Sequence, residues 1–173
     1  AKGKKGENLT VVVLDRPRHK EIMEEIRAAG ARIKLITDGD IVGGIQAALP
    51  GQGVDLLMGI GGSPEAVLTA AAIRCIGGAI QCKPWPRDAE ERRMAIDQGI
   101  DVDHVYPAEE LVSGEDVFFA ATGASTGELL RGVRYFGGGA ETQSLVMRSR
   151  SGTVRWIDSI HDFSRLDKIR FQD

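Results

Sequence analysis

Apolar residues follow two rhythms along this chain. Leu9-Thr10-Val11-Val12-Val13-Leu14 is apolar and β-branched on both faces, the pattern of an interior strand in a sheet covered on both sides. It stops at Asp15-Arg16-Pro17-Arg18-His19. Pro17 then opens a helix with apolar residues at Ile22, Met23, Ile26 and Ala29, a three-four spacing, and Gly30 ends it. A second strand is predicted over 31–36, closing at Thr37-Asp38-Gly39-Asp40, with a short helix continuing to Ala48. A third strand over 54–60 runs into Gly59-Ile60-Gly61-Gly62-Ser63-Pro64-Glu65. The apolar run over 66–76 then reads as a helix, with Ser63 as N-cap, Pro64 at its first position and Glu65 in its first turn.

The next segments are less regular. Residues 79–83 read as a strand that Pro84-Trp85-Pro86 breaks, and a polar helix over 87–98 ends at Gly99. Residues 101–106 read as a connector or a short strand, and one helical turn follows from Pro107 to Leu111. Val117-Phe118-Phe119-Ala120-Ala121 is another buried strand, ending in a second Gly/Ser/Thr loop at residues 122–127. Past Leu130 the rhythm changes to alternating apolar and polar residues over 133–136, 142–150 and 153–159. That is an antiparallel meander with one wet face, followed by a polar tail. The fold class is therefore α/β: a mostly parallel sheet with crossover helices, then the meander.

Successive strand–loop–helix units place their loops at the carboxyl ends of the strands, the edge where open α/β sheets bind ligands. Arg16 and Arg18, Asp38 and Asp40, and Glu65 with its glycines thus share one rim. A guanidinium can grip a phosphate in two-pronged fashion, and arginine opposes the helix dipole at a helix start, so it needs another reason to stand there. Asp38 and Asp40 can hold a hard cation or accept bonds from sugar hydroxyls; a helix cap with a turn glycine accounts for them equally well. The amides of the Gly59–Gly62 turn suit a phosphate, and a carboxylate beside them at Glu65 leaves room for a metal. Glu65 is also what any first helical turn favours. The glycine spacing fits neither a dinucleotide fingerprint nor a P-loop. His19, His104 and His161 are scattered and read as neither nucleophiles nor metal ligands, and Arg148 and Arg150 read as solvated.

Composition narrows the picture. The 173 residues suffice for one domain with a real core, and a formal net charge of −3 gives no pull toward nucleic acid. No apolar run could span a bilayer. Cys75 and Cys82 fit neither a zinc spacing nor a disulfide framework, which points to the reducing cytoplasm. The 22 glycines fall at element ends, as tight alternation of strands and helices requires.

With these motifs laid out, the chain resembles the C-terminal half of a class II fructose-1,6-bisphosphatase, a family whose bacterial members include some that also act on sedoheptulose 1,7-bisphosphate. The resemblance runs from Asn8 to Ile160. It rests on Leu14-Asp15-Arg16-Pro17-Arg18-His19, Thr37-Asp38-Gly39-Asp40, the Gly59-to-Glu65 stretch, Asp116-Val117-Phe118-Phe119-Ala120-Ala121-Thr122-Gly123, and the run from Ser144 to Arg155. It implies a sugar-phosphatase fold related to inositol monophosphatases, and Mg²⁺- or Mn²⁺-assisted hydrolysis of the 1-phosphate of fructose 1,6-bisphosphate in gluconeogenesis or the Calvin cycle. It implies that Arg16, Pro17, Arg18, Asp38, Gly39, Asp40 and Gly62 bind substrate and that Glu65 is a metal ligand. The other metal ligands, and any certain catalytic residue, belong to an N-terminal half. On this reading residues 1–8 are a linker from that half. Residues 9–130 bind the sugar phosphate, 131–160 complete the fold, and 161–173 are a tail. One glutamate cannot hold a pair of cations, so the chain by itself is expected to be inactive, with an exposed meander edge and self-association into a homo-oligomer. A non-catalytic sugar-phosphate-binding domain is the rival reading.

Overall fold

The computed structural model describes residues 3–166. β1 (Thr10–Leu14) lies between β2 (Arg32–Ile36) and β3 (Leu56–Leu57), both parallel to it. Val11, Val12 and Val13 are buried, as a strand covered on both faces requires. Alternate side chains serve alternate layers. A 3-10 turn (Pro17–His19) leads into α1 (Lys20–Ala28), whose Ile26 packs on Val11 and Val13 with Ile22, Met23 and Ile33 around it. α2 (Asp40–Ala48) covers the other face so closely that a Cβ on its Gly43 would lie 3.1 Å from Val12 Cγ1.

α3 (Ser63–Ile76) lies alongside α2. A Cβ on Gly44 would sit 2.6 Å from Thr69 Cγ2, so the two helices approach this closely only because Gly44 has no side chain. β4 (Gln81–Cys82) and β5 (Tyr106–Pro107) form a small antiparallel ribbon. Between them runs α4 (Ala89–Asp97), capped by the Asp88 carboxylate, which accepts from the Glu90 and Glu91 amides. After α5 (Ala108–Leu111) come β6 (Phe118–Thr122), β7 (Arg134–Phe136), β8 (Gly139–Arg148), β9 (Thr153–Asp162) and the single turn α6 (Phe163–Leu166).

These four strands form an antiparallel sheet around β8. β9 pairs with all ten residues of β8 on one side, while β6 and β7 share its other side. Ile45 and Leu49 of α2 and Ala72 and Cys75 of α3 meet Val117, Phe119, Leu145 and Met147 from this sheet in one core. Leu145 and Met147 are fully buried, each worth about 1.5–3 kcal/mol of transfer free energy. The order of layers is thus helix, parallel sheet, helix pair, antiparallel sheet, a mixed α/β architecture. No helix among the described residues is long and apolar enough to cross a membrane.

Several expected elements change on folding. The third strand is Leu56–Leu57 rather than residues 54–60. Ladder bonds reach from Asp55 to Met58, and the chain then leaves the sheet because the Ile60 amide bonds to a side chain instead. The strand over 79–83 shrinks to two residues, since its partner Pro107 has no N–H to extend the ladder. The predicted strand at 117–121 joins the antiparallel sheet, pairing Phe118 with Arg148 through Thr122 with Ser144. Helix α3 begins at Ser63, so Gly62 rather than Ser63 is its N-cap, and no side chain caps it. The polar tail begins later than expected, because β9 runs to Asp162; residues 167–173, and residues 1 and 2 of the expected linker, lie outside the described residues.

Candidate ligand site at the parallel sheet edge

The three parallel strands end in three loops, and one of them ties the other two together. Beyond β1, Arg16 sends Nη2 to the Thr37 carbonyl (2.7 Å) and Nη1 to the Asp15 carbonyl (2.8 Å). Arg18 forks onto a single acceptor, the Ile60 carbonyl, through Nε (2.9 Å) and Nη2 (2.8 Å). Its Nη1 edge takes no part in that fork. Pro17 opens the 3-10 turn that presents the two arginines to opposite sides.

Beyond β2, Gly39 adopts φ +79°, a left-handed conformation that glycine reaches without strain, and so serves as the N-cap of α2. Asp38 is exposed. Asp40 is half-buried, and its Oδ1 accepts the Ile41 amide at 3.0 Å. Asp40 Oδ2 faces the third loop: a Cβ on Gly61 would lie 2.7 Å from it. Beyond β3, a Cβ on Gly62 would lie 2.1 Å from Glu65 Oε2, so the Glu65 carboxylate folds back over the helix start. Gly61, Gly62 and Ser63 are exposed. Amides at this uncapped end of a fourteen-residue helix are open to an incoming anion.

Arg18, Asp40 and Glu65 therefore meet around residues 60–62. Arg16 stands one strand over, holding the base of the Asp38 turn. A cleft of about 500 Å³ begins at Thr37, Asp38 and Gly39 and runs between α2 and the loop after β6, where Ser125, Gly127 and Glu128 form the far wall. Glu128 pairs with Lys34, and that bond, helped by Gln46, holds its carboxyl below the usual range. A smaller hollow of about 40 Å³ separates Asp40 from Gly59, Ile60 and Gly61.

Reading the sequence missed two contributors. His19 lies at the centre of the rim, fully buried, and binds backbone atoms rather than a ligand. The far wall at 122–130 carried a signal, a Gly/Ser/Thr loop closing an apolar strand, but nothing local says which cleft it faces. Arg148 is not simply solvated: it forks onto Asp116 and stacks 4.8 Å over the Phe118 ring.

Parallel strands with charged loops gathered at their carboxyl ends define a mixed α/β protein with one candidate ligand edge. Comparison with known proteins makes the class specific. The model of the family described as bacterial fructose-1,6-bisphosphatase, glpX-encoded, matches residues 1–161, and the chain belongs to that family. It is 50% identical over 167 residues to the D-fructose 1,6-bisphosphatase class 2/sedoheptulose 1,7-bisphosphatase of Synechococcus sp. (strain JA-3-3Ab), covering 89% of this chain and 48% of that relative. The protein of the same name from Microcystis aeruginosa (strain NIES-843 / IAM M-2473) is 47% identical over 172 residues, covering 92% of this chain and 50% of its own. The chain thus spans about half the length of the relatives it matches.

The family implies a divalent cation. Among the described residues no three His, Cys, Asp or Glu side chains gather to hold one. Glu65 supplies a single carboxylate, and one oxygen of Asp40 is bound to its own helix. Among the described residues the donor set for a divalent cation is thus incomplete.

Proposed function

We propose that this chain is the sugar-phosphate-binding part of a fructose-1,6-bisphosphatase that removes the 1-phosphate of fructose 1,6-bisphosphate and also accepts sedoheptulose 1,7-bisphosphate. The observation that carries the proposal is the meeting of Arg18, Asp40 and Glu65 around residues 60–62 in a chain of this family. Residues 9–130 bind the sugar phosphate and 131–160 complete a sugar-phosphatase fold of the inositol monophosphatase kind. Arg16 and Arg18, set by Pro17, face the phosphate that does not react. Asp38 and Asp40, turned by Gly39, orient the sugar hydroxyls. Gly62 leaves its amide open beside the reacting end, and Glu65 gives one carboxylate to Mg²⁺ or Mn²⁺, whose remaining ligands lie outside the described residues. The setting is a cytoplasmic homo-oligomer.

Two assays test this reading. Isothermal titration should find that the chain binds fructose 1,6-bisphosphate, while phosphate release with Mn²⁺ stays far below that of a full-length relative. Turnover at the full-length rate would refute the single-carboxylate role of Glu65. Binding without turnover in the full-length protein as well would favour a non-catalytic sugar-phosphate domain. In the full-length protein Glu65→Gln should lower kcat and its metal dependence, and Arg18→Ala should mainly raise KM; the reverse pattern would exchange the two roles.

A further inference from the structure

Every polar atom of the Ile60 peptide unit is held by the loop that follows β1. Its carbonyl takes the Arg18 fork. Its amide donates to His19 Nε2 at 2.8 Å. The other ring nitrogen, Nδ1, lies 2.8 Å from the Leu14 carbonyl at the end of β1. Nε2 also lies 3.2 Å from the Ile60 carbonyl, but the amide contact is the shorter one. A carbonyl can only accept and an amide can only donate, so the ring carries its proton on Nδ1 toward Leu14 and leaves Nε2 bare for the Ile60 amide. The ring is fully buried, and Gly59 lies flat against it: a Cβ there would be 3.1 Å from Cε1 and 3.3 Å from Nε2. The imidazole thus spans from the last residue of the central strand to the first turn of the glycine loop. It takes the Ile60 amide out of the sheet at the point where β3 ends.

We propose that His19 is a positioning residue: by accepting the Ile60 amide it fixes the Gly59–Gly62 turn in the one conformation that aims the start of α3 and Glu65 at the ligand edge. The benefit to ligand binding rests on the functional reading above; the clasp itself does not. Without an acceptor at Nε2 the Ile60 amide would return toward the sheet or to water, and the turn would lose its register against Asp40. Buried backbone donors are costly to leave unmade, which makes a single side-chain acceptor enough to decide the path of a glycine-rich segment.

The test compares His19→Asn with His19→Gln in the whole chain. Asparagine reaches the Nδ1 position and leaves the Ile60 amide without a partner, whereas glutamine carries its amide group to the Nε2 position. Hydrogen exchange at the Ile60 amide should be about 10-fold faster in His19→Asn, the scale of one lost hydrogen bond, and largely restored in His19→Gln. The affinity for fructose 1,6-bisphosphate should follow the same order. Ring ¹⁵N shifts of the unaltered chain should report Nδ1–H with bare Nε2, a readout that holds even where a variant fails to fold. Unchanged exchange in His19→Asn, equal losses in both variants, or the opposite tautomer would each overturn the proposal. Failure of the unaltered chain to bind fructose 1,6-bisphosphate would overturn the functional reading instead, and the exchange and tautomer data would still decide the clasp.

Discussion

β1 and β9 put a strand to opposite uses. β1 is enclosed: strands flank both edges, helices cover both faces, and three of its five residues are valines exposed by no more than 2%. Among the described residues β9 pairs along one edge only, and Trp156, Ile157 and Ile160 remain exposed on it, Ile160 by 77%. The antiparallel sheet uses one face for the core, through Phe119, Leu145 and Met147, while Phe118 on the other face is open. The contrast separates support from precision. The enclosed sheet holds its loops by side chains that bridge from one strand end to the next, which a ligand edge needs. The outlying sheet contributes burial on one side and, through β6 and the loop after it, the far wall of the cleft, but none of the charged residues of the rim.

The largest effect that can break this comparison lies in the shared core. Leu145→Ala should destabilise the chain by about 2–5 kcal/mol in denaturant unfolding, while Ile160→Ala on the same sheet should stay within about 0.5 kcal/mol. Equal losses would mean that β9 is covered after all. A smaller loss, about 1–3 kcal/mol, is expected from Gly44→Ala, because the added methyl must displace the Thr69 side chain and push α2 from α3. That change reaches the Asp38–Asp40 turn at the head of α2, so ligand affinity should fall with it; an unchanged melting curve would contradict the tight α2–α3 contact. The smallest effect concerns pH. Hydrogen bonding to Arg148 holds the Asp116 carboxyl below its ordinary range. A depressed folded value stabilises above the unfolded value of about 3.9 and is lost as pH falls through the folded one. Asp116→Asn should therefore lower the melting temperature slightly at neutral pH and flatten its decline in acid, and parallel acid profiles would argue against the pair.

Much of the enclosed sheet was legible because its signals are local. Apolar runs bounded by Gly30, Gly39 and Gly77 mark the elements from β1 to α3 to within a few residues, and the shared rim follows from strands that alternate with helices. What escaped depends on partners remote in sequence. β3 is short because Ile60 bonds to His19, forty-one positions away. β6 joins the antiparallel sheet through its pairing with β8, two strands later. His19 itself gave no warning, since its partners are backbone atoms, and no pattern of residue types records a backbone atom waiting for an imidazole. The same holds for Arg16 and Arg18: their charge was visible, but not that carbonyls at Thr37 and Ile60 engage them first.

The central claim is that the three loops form one site for a doubly phosphorylated sugar. It is tested most directly by titrating the ¹⁵N-labelled chain with fructose 1,6-bisphosphate and following its amide resonances. The account predicts saturable shifts confined to residues 15–19, 37–41 and 59–66, with β9 silent. Shifts clustered on β9 and Phe118, or no saturable shift at all, would contradict it.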